Sequence, residues 1–478
     1  MTASIERTPV HVVYGGADRY SADTPRKLGD IALKTLQEYA PNFAAFALSV
    51  GLPGSEKLPT DNEGITRLDR QISRSQSKAR EENFTEWFAW TVYRKTIAKL
   101  ENEPVEDFRI DFEDGYGFRP DDEEDNDAIR AANELASAFK NQTIPPFCGF
   151  RIKSLAPETR KRGLRTLDLF LTSFVERCGE TFPGNFVVTL PKITDKKQVR
   201  ELCDRLKKFE KKNKITTGSI GVELMIETPQ AIFDRSGNIA LRSLVDVAKG
   251  RCTSAHFGAF DYTSALGIVS AYQHLNHPAC DHARQLMLAN LATLGIRLSD
   301  SVTTELPVAI HRKGRLSKTQ IRENRDSIYH GLREHFVNVT RSMQNGFYQS
   351  WDLHPNQLPA RFAAVNAFFI EAADSMAHRL KENFARSTKA TLTRNAFDDA
   401  ASAEGLLNFF RKGLGCGAFD AKEIRKMIGV TADELCALSF SELAEVHSKK
   451  EKDGIAAARS EFKTLKFEIR NLRSEIKQ

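Results

Sequence analysis

Eight short apolar runs, each separated from the next by a stretch of helical periodicity, set the widest constraint on how this chain can fold. They lie at residues 11–14 (HVVY), 108–114 (FRIDFED), 147–154 (FCGFRIKS), 186–193 (FVVTLPKI), 219–226 (SIGVELMI), 251–260, 297–303 and 347–353 (FYQSWDL). Between them run amphipathic patterns. Asp23-Thr24-Pro25 opens one whose apolar face is Leu28, Ile31, Ala32 and Leu36, and another carries Phe84, Trp87, Phe88, Trp90, Val92 and Tyr93. Further helices are predicted over 125–140, 160–177 and 280–294, after Asp195, and through Ile321, Tyr329, Leu332 and Phe336. Strands alternating with helices predict a parallel sheet, because parallel neighbours need a crossover between them. Eight such units match a closed α/β TIM (β/α)8 barrel. The open doubly wound sheet is the competitor, and no GxGxxG follows the first strand to favour it.

The chain has 478 residues, and one α/β barrel absorbs ~250 residues or more. We assign residues 1–385 to the barrel, with an insertion at about 52–100 that begins as a polar loop over 52–70. Residues 386–478 form a C-terminal helical region, in which Thr431-Ala-Asp-Glu434 makes a capping box. Its last stretch spaces Ile455, Ala458, Phe462, Leu465, Ile469, Leu472 and Ile476 by alternating threes and fours, an a/d seam. Such a helix either packs against another subunit or docks on its own barrel.

Charge and cysteine usage exclude several classes. Acids and bases are interspersed and the net charge is only +6, so no nucleic-acid surface is expected. Seven cysteines without CxxC or zinc spacing fit thiols in a reducing compartment. The start MTASIERTPV has no apolar core, and no run reaches ~18 apolar residues. The expectation is a cytoplasmic protein with no membrane partner.

A barrel collects its active site at the C-terminal ends of its strands. In this register those ends carry Asp111, Glu113 and Asp114, then Arg151, Lys192, Glu227, Asp261, and finally Asp352 and His354. Glu227 and Asp261 each follow an apolar run about one βα unit apart, which suits two ligands of a hard cation, Mg²⁺ or Mn²⁺. The alternative is that they cap the following helices. A guanidinium opposite such a metal suits a carboxylate or enolate oxygen. Structural ion pairs with Arg151 or Lys192 would account for some of the acids. Lys192 as a Schiff-base nucleophile is a further option, and His274, His277 and His282 lack convincing ligand spacing.

The ordered set DFEDG at 111–115, FRIK at 150–153, LPKI at 190–193, IET at 226–228, FGAFDYTSALG at 257–267 and LHPNQ at 353–357 resembles the citrate lyase β-subunit-like group. That group belongs to the HpcH/HpaI aldolase family of the pyruvate/phosphoenolpyruvate barrel superfamily, related to malyl-CoA lyases. The resemblance implies Mg²⁺ held by Glu227 and Asp261, and substrate carboxylate and enolate oxygen held by Arg151. It also implies an ordering acidic pair in Glu113 and Asp114. Lys192, at the end of strand four, is expected among the substrate-binding groups. His354 would have a structural role in the HPxQ turn, and the assembly would be a homo-oligomer, a trimer or hexamer. The expected activity is a carbon–carbon lyase or aldolase that forms an enolate from a small 2-oxo acid or an acyl-CoA-type carboxylate. The alternatives are a malate-synthase-like condensing enzyme, a CoA-thioester hydrolase, and a non-catalytic scaffold barrel. Lys153 stands where related chains usually carry Asn, and the insertion and C-terminal region are longer than the family needs, which leaves the use of a CoA thioester open.

Overall fold

Eight strands run in chain order: β1 (His11–Gly16), β2 (Asp107–Asp111), β3 (Phe147–Arg151), β4 (Phe186–Leu190), β5 (Gly221–Ile226), β6 (Cys252–Phe257), β7 (Arg297–Val302) and β8 (Gln349–Trp351). Each pairs in parallel with the next, and β8 returns to β1 through His11↔Ser350 and Val12↔Trp351. The sheet therefore closes into a TIM-type α/β barrel. The structure, a computed structural model, describes residues 7–393 and 400–449.

Alternation along the strands sorts side chains between two environments. Phe108, Ile110, Phe150, Val188 and Leu224 are buried outward in one apolar layer with Phe170, Phe174, Leu202 and Leu206 of the surrounding helices. Phe150 stacks on Phe170 with ring centroids 4.0 Å apart. The inward positions are polar. Arg109 Nε and Nη2 donate to the two oxygens of Glu223 at 3.2 and 3.1 Å, and Arg109 also pairs with Asp107. Thr189 and Ser254 hydroxyls donate to Glu223, each at 2.8 Å, and Tyr14 Oη donates at 3.1 Å. Burial pushes the Glu223 carboxyl up, but Arg109 and the converging hydrogen bonds hold it well below the ordinary range.

The described residues divide into two compact units, one over Pro9–Ala367 and the other made of the described residues from Phe368 onward with Arg7 and Thr8. The second contains helices Ala400–Gly415, Ala421–Ile428 and Ala432–Ala437, and Thr431 forms the expected capping box with Glu434. The heptad seam from Ile455 to Ile476 lies outside the described residues.

Local differences from the sequence expectations have physical causes. The stretch expected as a polar loop contains helix Asn62–Arg74, whose first turn is held by Asp61 accepting from the Gly64 amide at 2.7 Å. Strand six was expected to reach residue 260 but ends at Phe257, and Gly258 turns the chain into helix Ala259–Ala265. No helix among the described residues is long and apolar enough to cross a membrane.

Candidate active site

Arg151, the last residue of β3, lies in register with Asp111, the last residue of β2. Its Nε and Nη2 donate to the two Asp111 oxygens at 2.7 and 2.5 Å, a bidentate fork. Asp111 in turn accepts from the amides of Glu113 and Gly115 at 3.0 and 2.7 Å, which curls the following loop over the barrel mouth. That curl brings Glu113 Oε2 to 3.1 Å and Asp114 Oδ2 to 3.6 Å from Arg151 Nη1. Burial opposes the Arg151 charge, but Asp111 outweighs it and the guanidinium stays ionised.

Lys192 joins this group to the next. It follows β4 with φ of +50°, a left-handed conformation that a non-glycine residue adopts at a steric cost. The turn aims its amide at Glu227 Oε1, 2.5 Å away. Its side chain donates to Glu113 Oε1 at 2.5 Å and Asp114 Oδ1 at 2.9 Å, and lies 3.9 Å from Asp261 Oδ2. Partial burial pulls the ammonium down, but the charges of Glu113 and Asp114 win and hold it above its ordinary value. A Schiff-base lysine needs the opposite, an amine that loses its proton easily.

Glu227 follows β5 and is almost wholly buried, while Asp261 sits in the first turn of helix Ala259–Ala265 and is half exposed. Gly258 packs directly against Glu227: a Cβ there would meet Glu227 Cβ at 2.5 Å and Oε2 at 2.8 Å. Burial, and then the negative charge of Asp261, push the Glu227 carboxyl up to about 8. Burial also pushes Glu113 up to about 7, against the pull of Arg151, whereas Asp114 is held below its ordinary value despite partial burial by Glu113, Arg151 and Lys192. Glu113 is therefore the member of the pair that holds a proton more readily.

Arg151, Glu113, Asp114, Lys192, Glu227 and Asp261 thus lie in one continuous chain of contacts at the barrel mouth. The other two strand-end candidates serve elsewhere. Asp352 is buried against Arg361 at 2.6 Å, His335 at 2.8 Å and His11 at 3.0 Å. His354 accepts from the Asn356 amide at 3.1 Å, and Gln357 of the same turn accepts from the Leu353 and His354 amides. Among the described residues no three His, Cys, Asp or Glu side chains converge as a metal cage.

Residues 2–443 match the family described as Domain of unknown function (DUF6986). The chain belongs to the DUF6986 family. No curated protein matches it. Among solved structures, a citrate lyase from Burkholderia xenovorans LB400 is 18% identical over 70% of this chain and 91% of its own, with a TM-score of 0.47. A Haloferax volcanii malate synthase in a magnesium/glyoxylate complex is 14% identical over 68% and 92%, with a TM-score of 0.39. An HpcH/HpaI aldolase/citrate lyase family protein from Burkholderia cenocepacia J2315 is 11% identical over 55% and 83%, with a TM-score of 0.33.

Asp111 is the principal partner of Arg151, the structural ion pair that the sequence offered for some of the strand-end acids. One feature of this DUF6986 site was not read from its sequence. Lys153 is a buried brace. Its Nζ donates to Glu124 at 2.7 Å and to the carbonyls of Phe112 and Gly117 at 2.8 and 3.0 Å, on both sides of the loop that carries Glu113 and Asp114. Lys153→Met is expected to lower stability by about 3 kcal/mol, since a buried carboxylate loses a partner. Urea unfolding measures it, and a loss below about 1 kcal/mol would remove the brace from consideration.

Proposed function

We propose that this DUF6986 protein is a Mg²⁺-dependent carbon–carbon lyase or aldolase that forms an enolate from a small 2-oxo acid or an acyl-thioester-type carboxylate. The observation that carries this reading is the contact chain at the mouth: Arg151 with its acidic partners, joined through Lys192 to the carboxylates of Glu227 and Asp261.

The donor set suits a hard divalent cation. Two carboxylates are near enough to repel each other, and burial and then that repulsion push the buried one, Glu227, toward its neutral form. Mg²⁺ prefers one or two protein carboxylates, with water and substrate completing its shell. Glu227 and Asp261 would hold it, and when bound it supplies electrophilic stabilisation of a substrate oxygen. Arg151 would bind and orient the carboxylate end through Nη1, the nitrogen that lies outside the Asp111 fork beside Glu113 and Asp114. Lys192 fixes the Glu113–Asp114 pair and the Glu227 carboxylate in one arrangement. Glu113 holds or moves a proton at its Oε1 or Oε2.

Enolate formation is tested by incubating the protein with Mg²⁺ in D₂O and, separately, pyruvate, oxaloacetate or acetyl-CoA, and following the α-proton signal by NMR. Loss of signal with wild type but not with Glu227→Gln supports the reading and identifies the accepted half-substrate. Retention of signal with every compound would return the barrel to a binding or scaffold role.

A further inference from the structure

Arg151 is buried, and its in-plane contacts are already assigned: Nε and Nη2 to Asp111, and Nη1 beside Glu113 and Asp114. The flat face of a guanidinium has no hydrogen to donate, so only an electron-rich surface matches its charge there. Two aromatic rings supply that surface. The guanidinium carbon lies 4.9 Å from the centroid of the Tyr14 ring and 5.6 Å from that of Trp351. Trp351 brings the indole, the ring that attracts cations most strongly, and its Nε1 has no hydrogen-bond partner among the described residues. The ring face, and not the N–H, is what this position offers Arg151.

The rings are themselves fixed. Tyr14 pairs in register with Arg109 on β2, one inward layer below Asp111 and Arg151, and Val12 of the same strand pairs with Trp351 where β8 closes onto β1. Tyr14 and Trp351 lie 4.4 Å apart, and the His256 ring meets them edge-on at 5.6 and 5.7 Å, packing a third side. The Tyr14 hydroxyl donates to Glu223 at 3.1 Å, and burial, then the Glu223 charge, push the phenol up so that it keeps this proton. Tyr14 therefore spans the distance from Glu223 to Arg151. Without its ring, the buried Glu223 carboxylate would compete with the mouth acids for the guanidinium.

We propose that Tyr14 and Trp351 are positioning residues for Arg151. Their ring faces hold the guanidinium plane in the Asp111 fork and separate it from Glu223, so Nη1 stays beside Glu113 and Asp114. Met225 Sδ, 3.5 Å from Nη1, adds a further contact from β5. The inference rests on Arg151 as the carboxylate anchor of the proposed lyase, and it adds what keeps that anchor in place before substrate arrives. A charge fixed in advance needs no reorganisation when substrate binds.

The test reads the guanidinium itself. In the full chain labelled with ¹⁵N-arginine, rotation about the Arg151 Cζ–Nε bond is measured by NMR exchange between its two Nη signals, which Arg151→Lys assigns by their loss. Wild type is compared with protein in which tetrafluorotryptophan replaces tryptophan, since fluorine drains negative charge from the ring face and changes its shape little. The other two tryptophans, Trp87 and Trp90, face Arg80 and Arg94, so the Arg151 signals report on Trp351. The expected result is slow rotation in wild type, roughly threefold or more faster with the fluorinated ring, and roughly tenfold or more faster in Trp351→Leu and Tyr14→Leu. A ring that only fills space would lower Tm in the leucine variants and leave the rotation of the fluorinated protein unchanged. That unchanged rate, or averaged Nη signals in wild type, would overturn the assignment. The fluorinated protein decides it alone if a leucine variant fails to fold. Faster rotation without α-proton exchange would keep the positioning role and remove the lyase reading, and α-proton exchange with unchanged rotation would do the reverse.

Discussion

Replacing Glu227 by Gln is expected to abolish Mg²⁺ binding and leave the barrel folded. Glu227 is the buried member of the carboxylate pair and its oxygen accepts the Lys192 amide, a bond the Gln carbonyl can keep. Burial and Asp261 already push this carboxyl toward its neutral form, so a neutral amide costs little and the metal-free variant should be about as stable as wild type. The difference appears when metal is added. At a metal concentration of about 100 times Kd, wild type should gain about 2.7 kcal/mol, read as a rise in Tm, and Glu227→Gln should gain none. Calorimetric titration supplies the second readout, with Asp261→Asn expected to behave alike. Normal binding in both variants would remove this pair as the cation site.

The second large effect is at Arg151. Arg151→Lys is expected to reduce turnover by about a hundredfold or more, because an ammonium replaces a fork that contacts Asp111 through two nitrogens and leaves a third facing Glu113. Mg²⁺ affinity should change little, since the cation donors are on other strands. Losing half of a bidentate pair that is 1% exposed on each side also weakens the fold, so unfolding should be measured beside activity. Full turnover in this variant would exclude Arg151 from the chemistry.

Much of the site was legible in the chain because its residues share one property: each follows an apolar run that stops. Barrel geometry turns that linear rule into a spatial one, since all parallel strands end on the same face. Asp352 obeys the same rule and shows its limit. It follows β8, but its side chain is drawn into His11, His335 and Arg361. Whether a strand-end carboxylate faces the mouth or a buried partner depends on which cations lie nearby in space, and three distant segments supply these. Lys153 and the helix at Asn62–Arg74 were missed for a related reason: a brace or a cap is defined by the group it reaches.

What the amino-acid order determined by itself was the alternation of elements, hence the closed barrel, and the chemistry available at its mouth. Periodicity and strand-end residues are local properties and survive without knowledge of neighbours. Tertiary structure alone decided the pairings. Register placed Asp111 beside Arg151, the left-handed turn at Lys192 tied four carboxylates together, and closure of β8 onto β1 faced Trp351, Tyr14 and His256 toward one another. The physical reason is that hydrogen bonds and charge pairs fall off within a few ångströms, so their partners exist only once strands far apart in the chain have been brought into contact.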